Sequence, residues 1–343
     1  MKPDEFPRGP TQPTGARRGW WLWGVPLAAL AALTGCAGPV LAPNLGDADL
    51  PARVELADTP FFPQEAYDCG PAALATLLST SGVAVTADAL VEAVYLPERR
   101  GSLQAEIVAA ARRYDRVPYV IEPTLAAAFA ELAAGRPVLV MQNLASAADP
   151  VWHYAVLVGY SMDDDTVVLR SGTEARQVVS ARRFLGTWAR ASGWAMVALR
   201  PGELPAYADR GRYAASVAAM EGVASPEAVL AAYAAGLERW PEDVTAQFGA
   251  ANTLYATGNA EAAEQAYRRL LRRAPDHVAT RNNLATLLSE RGCYREALEL
   301  LAPALTRDDI APALRAALED TERTVRAGLR TAGTQDCNGA DGR

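Results

Sequence analysis

Phe62-Pro63-Gln64-Glu65-Ala66-Tyr67-Asp68-Cys69-Gly70-Pro71-Ala72 is the stretch on which the reading of this chain turns. From Cys69 to Ser81 the residues CGPAALATLLSTS carry Ala and Leu at helical spacing, so Cys69 opens a helix. Pro71 falls in the first turn, where a missing N–H costs nothing. A thiol at a helix N-terminus faces free N–H groups and the positive end of the dipole, which favour the thiolate. Gln64 stands five residues earlier, close enough to offer a side-chain N–H to a developing oxyanion. The Cys69 backbone N–H would be the second donor.

A thiol nucleophile needs a base, and the chain has two histidines to choose from. His277 lies beside Pro275-Asp276 in a helical region and reads as a surface residue. His153 begins Trp152-His153-Tyr154-Ala155-Val156-Leu157-Val158-Gly159-Tyr160, a strand whose end would carry the ring. Around these two residues, helical patterns cover 69–81, 86–95, 102–114 and 124–134. Strand-like runs cover 117–122, 137–143, 153–160, 165–170 and 194–200. Helices mostly first and short strands after them predict an α+β domain with an antiparallel sheet.

Gln-x4-Cys-Gly-Pro-Ala at 64–72, followed by His-Tyr-Ala-Val-Leu-Val-Gly-Tyr at 153–160, resembles the bacteriocin-processing, double-glycine-leader peptidase family of papain-like enzymes. The likeness spans about residues 59–200. It implies a papain-like fold, amide cleavage by Cys69 with His153 as base, an oxyanion hole that includes Gln64, a peptide or protein substrate and no cofactor. Leader processing does not carry over, because the chain has no transporter segment. One departure stands out. The family places an aspartate after the strand that follows the histidine strand, and here that stretch reads Val168-Leu169-Arg170-Ser171-Gly172-Thr173. Ser171 can accept a hydrogen bond from the ring but cannot stabilise imidazolium as a carboxylate does. Asn143 is a weaker candidate for the third residue, and Asp163, Asp164 and Asp165 read as a solvated turn. A working Cys–His dyad, a slow enzyme, a non-catalytic peptide-binding scaffold and another acyl transfer at the same thiol all stay open.

From about 206 the pattern is helical and repetitive. Pro241 recurs as Pro275, Tyr233 as Tyr267, Gly258 as Gly292, and Leu237 as Leu271 and Leu305. The interval is the tetratricopeptide period. Three units are expected at 208–241, 242–275 and 276–309, then a capping helix near 310–330. Together they make an all-α tetratricopeptide-repeat domain with a concave surface for a protein partner.

The N-terminus reads as a leader. Arg17-Arg18-Gly19 precede a short apolar run, Trp20 to Leu33, which closes on Leu33-Thr34-Gly35-Cys36. That tetrapeptide resembles the bacterial lipobox, which makes Cys36 the lipidated first residue of the mature chain. Ala37 fits outer-membrane sorting. The expected layout is a signal peptide at 1–35, a tether at 36–58, the papain-like domain at 59–203, the repeats at 206–330 and a tail at 331–343. The expected place is the periplasmic face of a bacterial membrane. In that oxidising compartment Cys293 and Cys337 have two arrangements open, a mutual disulfide or two unpaired thiols. Cysteine and histidine are too few and too scattered for a metal site. The net charge of -7 argues against nucleic acid.

Overall fold

The structure is a computed structural model, and it describes residues 40–45, 49–63 and 68–332. Helix α1 (Leu41–Leu45) and strand β1 (Arg53–Glu55) come first. Both fall in the stretch expected to be a free tether, and both are packed into the fold. Leu41 and Leu45 are buried in the main core. The Asp165 carboxylate accepts the N–H groups of Val40 and Leu41 at 2.8 Å each, so one residue of the expected solvated turn caps a helix. A five-residue helix and a three-residue strand give no period to read, and only tertiary contact makes these segments regular.

Helix α2 (Cys69–Thr80) and helix α3 (Asp88–Val94) follow as the spacing predicts. A small hairpin, β2 (Tyr95–Leu96) and β3 (Gly101–Ser102), precedes α4 (Gln104–Arg113), so the expected helix at 102–114 starts later. Then come β4 (Val117–Val120), α5 (Leu125–Ala133), β5 (Val138–Asn143), β6 (Trp152–Ser161), β7 (Thr166–Ser171), β8 (Glu174–Ser180), α6 (Ala181–Ala189) and β9 (Ala195–Leu199). The strands form one sheet in the order β4-β9-β5-β6-β7-β8, with β1 added against the far end of β6. Every pairing is antiparallel.

Strand alternation divides β6 between two cores. Tyr154, Val156 and Val158 face Leu74, Leu78 and Ile107 of α2 and α4. Ala155 and Leu157 face Phe129 of α5 and Phe184 of α6. Where β1 crosses β6 the chain needs Gly159, since a Cβ there would lie 2.6 Å from the Val54 carbonyl oxygen.

The helical region consists of α7 (Arg210–Ala218), α8 (Pro226–Arg239), α9 (Val244–Ala256), α10 (Ala260–Arg273), α11 (Val278–Glu290), α12 (Tyr294–Leu305) and α13 (Pro312–Ala332). The helices beginning at 210, 244 and 278 are 34 residues apart, as are those beginning at 226, 260 and 294. The caps keep the same step. Asp209, Asp243 and His277 each accept the N–H three residues on, and so do Ser225 and Asn259. His277 is therefore half-buried and structural. Its Nδ1 lies 2.6 Å from Thr280 Oγ1, and its ring meets Phe248 edge-on. Cys293 occupies the next cap position without capping; it is buried and disulfide-bonded. Its expected partner Cys337 lies outside the described residues.

The sheet and the first helical pair share one core. Tyr213, Val217, Val229 and Tyr233 are buried with the α5 and α6 side chains. Polar ties reinforce the junction. Buried Glu131 accepts the Ala206 N–H and pairs with Arg136, and Asp115 accepts both the N–H and the hydroxyl of Ser225.

Candidate active site

Cys69 is half-buried at the first turn of α2, where Gly70 lets the chain approach β3. A Cβ at Gly70 would lie 2.2 Å from Ser102 Oγ, so no larger residue fits beside the thiol without moving the hairpin. Tyr154 closes the same side, its hydroxyl donating to the Ser102 carbonyl at 3.3 Å. The backbone N–H groups of Tyr154, Gly70 and Cys69 itself are directed towards the sulfur and favour the thiolate. Tyr154 is the residue after His153, so α2 delivers the thiol to the end of β6 where the sequence places the base.

The ring of His153 is held by β7. Its Nε2 lies 2.9 Å from Ser171 Oγ, at the end of β7. Ser171 thus stands beside the ring, in the slot where an acid would be expected. If the ring donates from Nε2, Nδ1 carries the lone pair, which is the form a general base needs. Gln142, the register partner of His153 on β5, instead donates to Thr187 of α6 at 2.6 Å. Asn143 is committed elsewhere. Its side chain accepts the N–H groups of Ala145 and Val151 and donates to the Ser146 carbonyl, which shapes the loop leading to His153. Gln64 lies outside the described residues.

Electrostatics correct one sequence-based expectation. The position of Cys69 at a helix N-terminus predicts a thiol more acidic than a free one. Burial instead pushes the Cys69 thiol up, and neighbouring Asp68 adds to it, while the three N–H groups only partly offset this. Burial also pushes His153 below the ordinary histidine range, with no counter-charge to hold a proton. Both the Cys69 thiol and the His153 imidazole therefore rest neutral. Burial raises the Tyr154 phenol as well, and a charge on Cys69 raises it further, so it stays protonated.

The sequence also left Arg170 unassigned. Its guanidinium is buried and donates to the carbonyls of Ala57, Thr59 and Ala175. It pins the segment leading towards Cys69 onto the strand that carries Ser171. Among the described residues no His, Cys, Asp and Glu cluster could hold a metal ion, and no helix is long and apolar enough to cross a membrane.

Residues 56–196 match the model of the Peptidase_C39 like family, about two fifths of the chain. A solved structure of a candidate C39-like peptidase from Bacillus anthracis is also similar. It is 17% identical, with 43% of this chain and 98% of that chain covered and a TM-score of 0.36. No curated protein matches the chain. The sheet-bearing part is thus C39-peptidase-like, an antiparallel sheet with helices on both faces, and it is followed by a helical region.

Proposed function

We propose that the protein is a cysteine peptidase acting through Cys69 with His153 as general base. The observation that carries this is the Cys69 thiol at the first turn of α2 with the Tyr154 N–H directed at it, Tyr154 being the chain neighbour of a His153 whose ring meets Ser171 at 2.9 Å. As the thiol attacks a peptide carbonyl, its proton passes to Nδ1 of His153 and a C–S bond forms. The negative oxygen is met by the Cys69 N–H and the Gln64 side chain. His153 then gives the proton to the leaving amine as the C–N bond breaks. Water, deprotonated by the same ring, releases the acid and restores the thiol. Ser171 orients the ring throughout and supplies no charge.

A peptidyl electrophile tests this by intact-mass analysis. One adduct should form on Cys69, and Cys69→Ala should form none. An adduct that forms equally fast on the urea-unfolded chain contradicts the reading. A second reading, a peptide-binding scaffold with little or no hydrolysis, is favoured by the missing carboxylate and the raised thiol. Binding of a peptide that is never cut, with Cys69→Ala binding as well as the parent, would support it.

The remaining placement is proposed on sequence grounds. Cys36 carries lipid and holds the chain on the periplasmic face of a bacterial membrane, the outer one by the Ala37 rule. The helical region is a set of tetratricopeptide repeats that recruits a protein partner, and its 34-residue step supports this. Cys293 pairs with Cys337, consistent with the disulfide-bonded state of Cys293.

A further inference from the structure

A cleft lies in the helical region, lined by none of the residues around the thiol. Helix α9 runs between α8 and α10, and its open face presents Gln247, Ala250 and Leu254, spaced as one helical stripe. With Leu237 of α8 and Ala266 of α10 these residues line a cleft of about 580 Å³. Its apolar members are all half-buried, so the cleft has an apolar floor open to water. Arg269, Arg272 and Arg273 form one wall.

The three arginines differ. Arg273 is pinned, donating to the Pro241 carbonyl at 2.8 Å and pairing with Glu242 at 3.0 Å. Arg268, on the same helix but outside the cleft, is paired to Glu264 and Glu296. Arg269 and Arg272 are exposed and have no hydrogen bond or ion pair among the described residues. They stand three residues apart, so both guanidinium groups overhang the same floor. In a chain of net charge -7, this places two uncommitted cations over an apolar trough.

We infer that this cleft binds an acidic peptide segment, with carboxylates on Arg269 and Arg272 and an apolar side chain on Leu237 and Leu254. Charge complementarity selects this occupant. A wholly apolar segment would leave both guanidinium groups unanswered, and a basic one would be repelled. Arginine suits the task because its planar fork takes a carboxylate through two hydrogen bonds. The inference names the chemistry of the partner proposed for the helical region and does not need Cys69 to be active.

The test is fluorescence anisotropy on the full chain with three labelled probes. They are a Leu-Glu-Glu-Leu-Glu-Glu-Leu peptide, the same peptide with Lys for Glu, and the same with Ser for Leu. The acidic apolar probe should bind, with the other two at least about tenfold weaker, and raising salt should weaken it. Arg269→Glu with Arg272→Glu should lose the acidic probe and gain the lysine probe, a reversal that a merely misfolded variant cannot show. Leu254→Ser should weaken the acidic probe while leaving Cys69 labelling as in the parent. Equal binding of acidic and basic probes, no binding of any probe at millimolar protein, or no effect of the charge reversal each overturns the inference. None of these outcomes bears on Cys69 chemistry, which the electrophile assay reads separately.

Discussion

Replacing Ser171 by Asp should raise the pKa of His153 and convert the neutral pair towards an ion pair. The ring Nε2 lies 2.9 Å from Ser171 Oγ, and its basicity is depressed because burial removes water without supplying a counter-charge. A carboxylate there would sit about 4 Å from the imidazolium centre. At an effective dielectric of about 20 that is worth about 4 kcal/mol, or about 3 pH units. Ser171 is only 7% exposed, so dehydrating the new carboxylate takes back part of the gain. A net upward move of about 1–2 pH units is expected. The assay is an NMR titration of the imidazole resonances. With only two histidines in the chain, a His277→Gln variant assigns them outright. Cys69 alkylation at neutral pH should rise in parallel, because imidazolium favours the neighbouring thiolate. A His153 titration that stays put or moves down would refute the placement of Ser171 as the residue that holds the ring.

Gln64→Ala should leave Cys69 alkylation nearly unchanged and slow peptide cleavage by roughly a hundredfold or more, read from kcat. His153 titrates lower in the fold than in the unfolded chain, so the unfolded chain takes the proton first as pH falls. Stability should therefore drop from about pH 6.5 downward to the folded pKa and then level off. Urea midpoints at pH 8 and pH 5 should differ less for His153→Gln than for the parent. Gly159→Ala should cost about 1–3 kcal/mol, because its Cβ would meet the Val54 carbonyl and push β1 off β6; thermal unfolding checks this. A non-reducing digest should yield a linked Cys293–Cys337 peptide.

Much of the fold could be read from the chain because periodicity carries it. The α2 pattern begins at Cys69 in both readings, and the alternation in β6 names the residues that face each core. The 34-residue step in sequence reappears as a 34-residue step in helix starts. What escaped was short or exposed. Strand β8 (EARQVVS) lies at the sheet edge with mostly solvated residues, so it lacks an apolar alternation. Helix α6 buries Phe184 and Trp188 with the small residues Ala181 and Thr187, too short an apolar stripe to stand out in the sequence. Ser171 could be placed by its position at the end of the strand that follows the histidine strand, whereas the state of the thiol could not. A helix N-terminus is visible in sequence; burial between Gly70, Ser102 and Tyr154 is a tertiary fact, and in this site it outweighs the backbone N–H groups that favour the thiolate.

The central claim, that Cys69 attacks carbonyl carbon with His153 taking its proton, is tested most directly by trapping the acyl-enzyme. The full chain is mixed with a peptidyl ester, quenched in acid within the first turnover and digested for mass spectrometry. The account predicts an acyl group on Cys69 that decays as product appears, and His153→Ala should build it at least about a hundredfold more slowly. No adduct, an adduct on another residue, or equal accumulation in His153→Ala would contradict it.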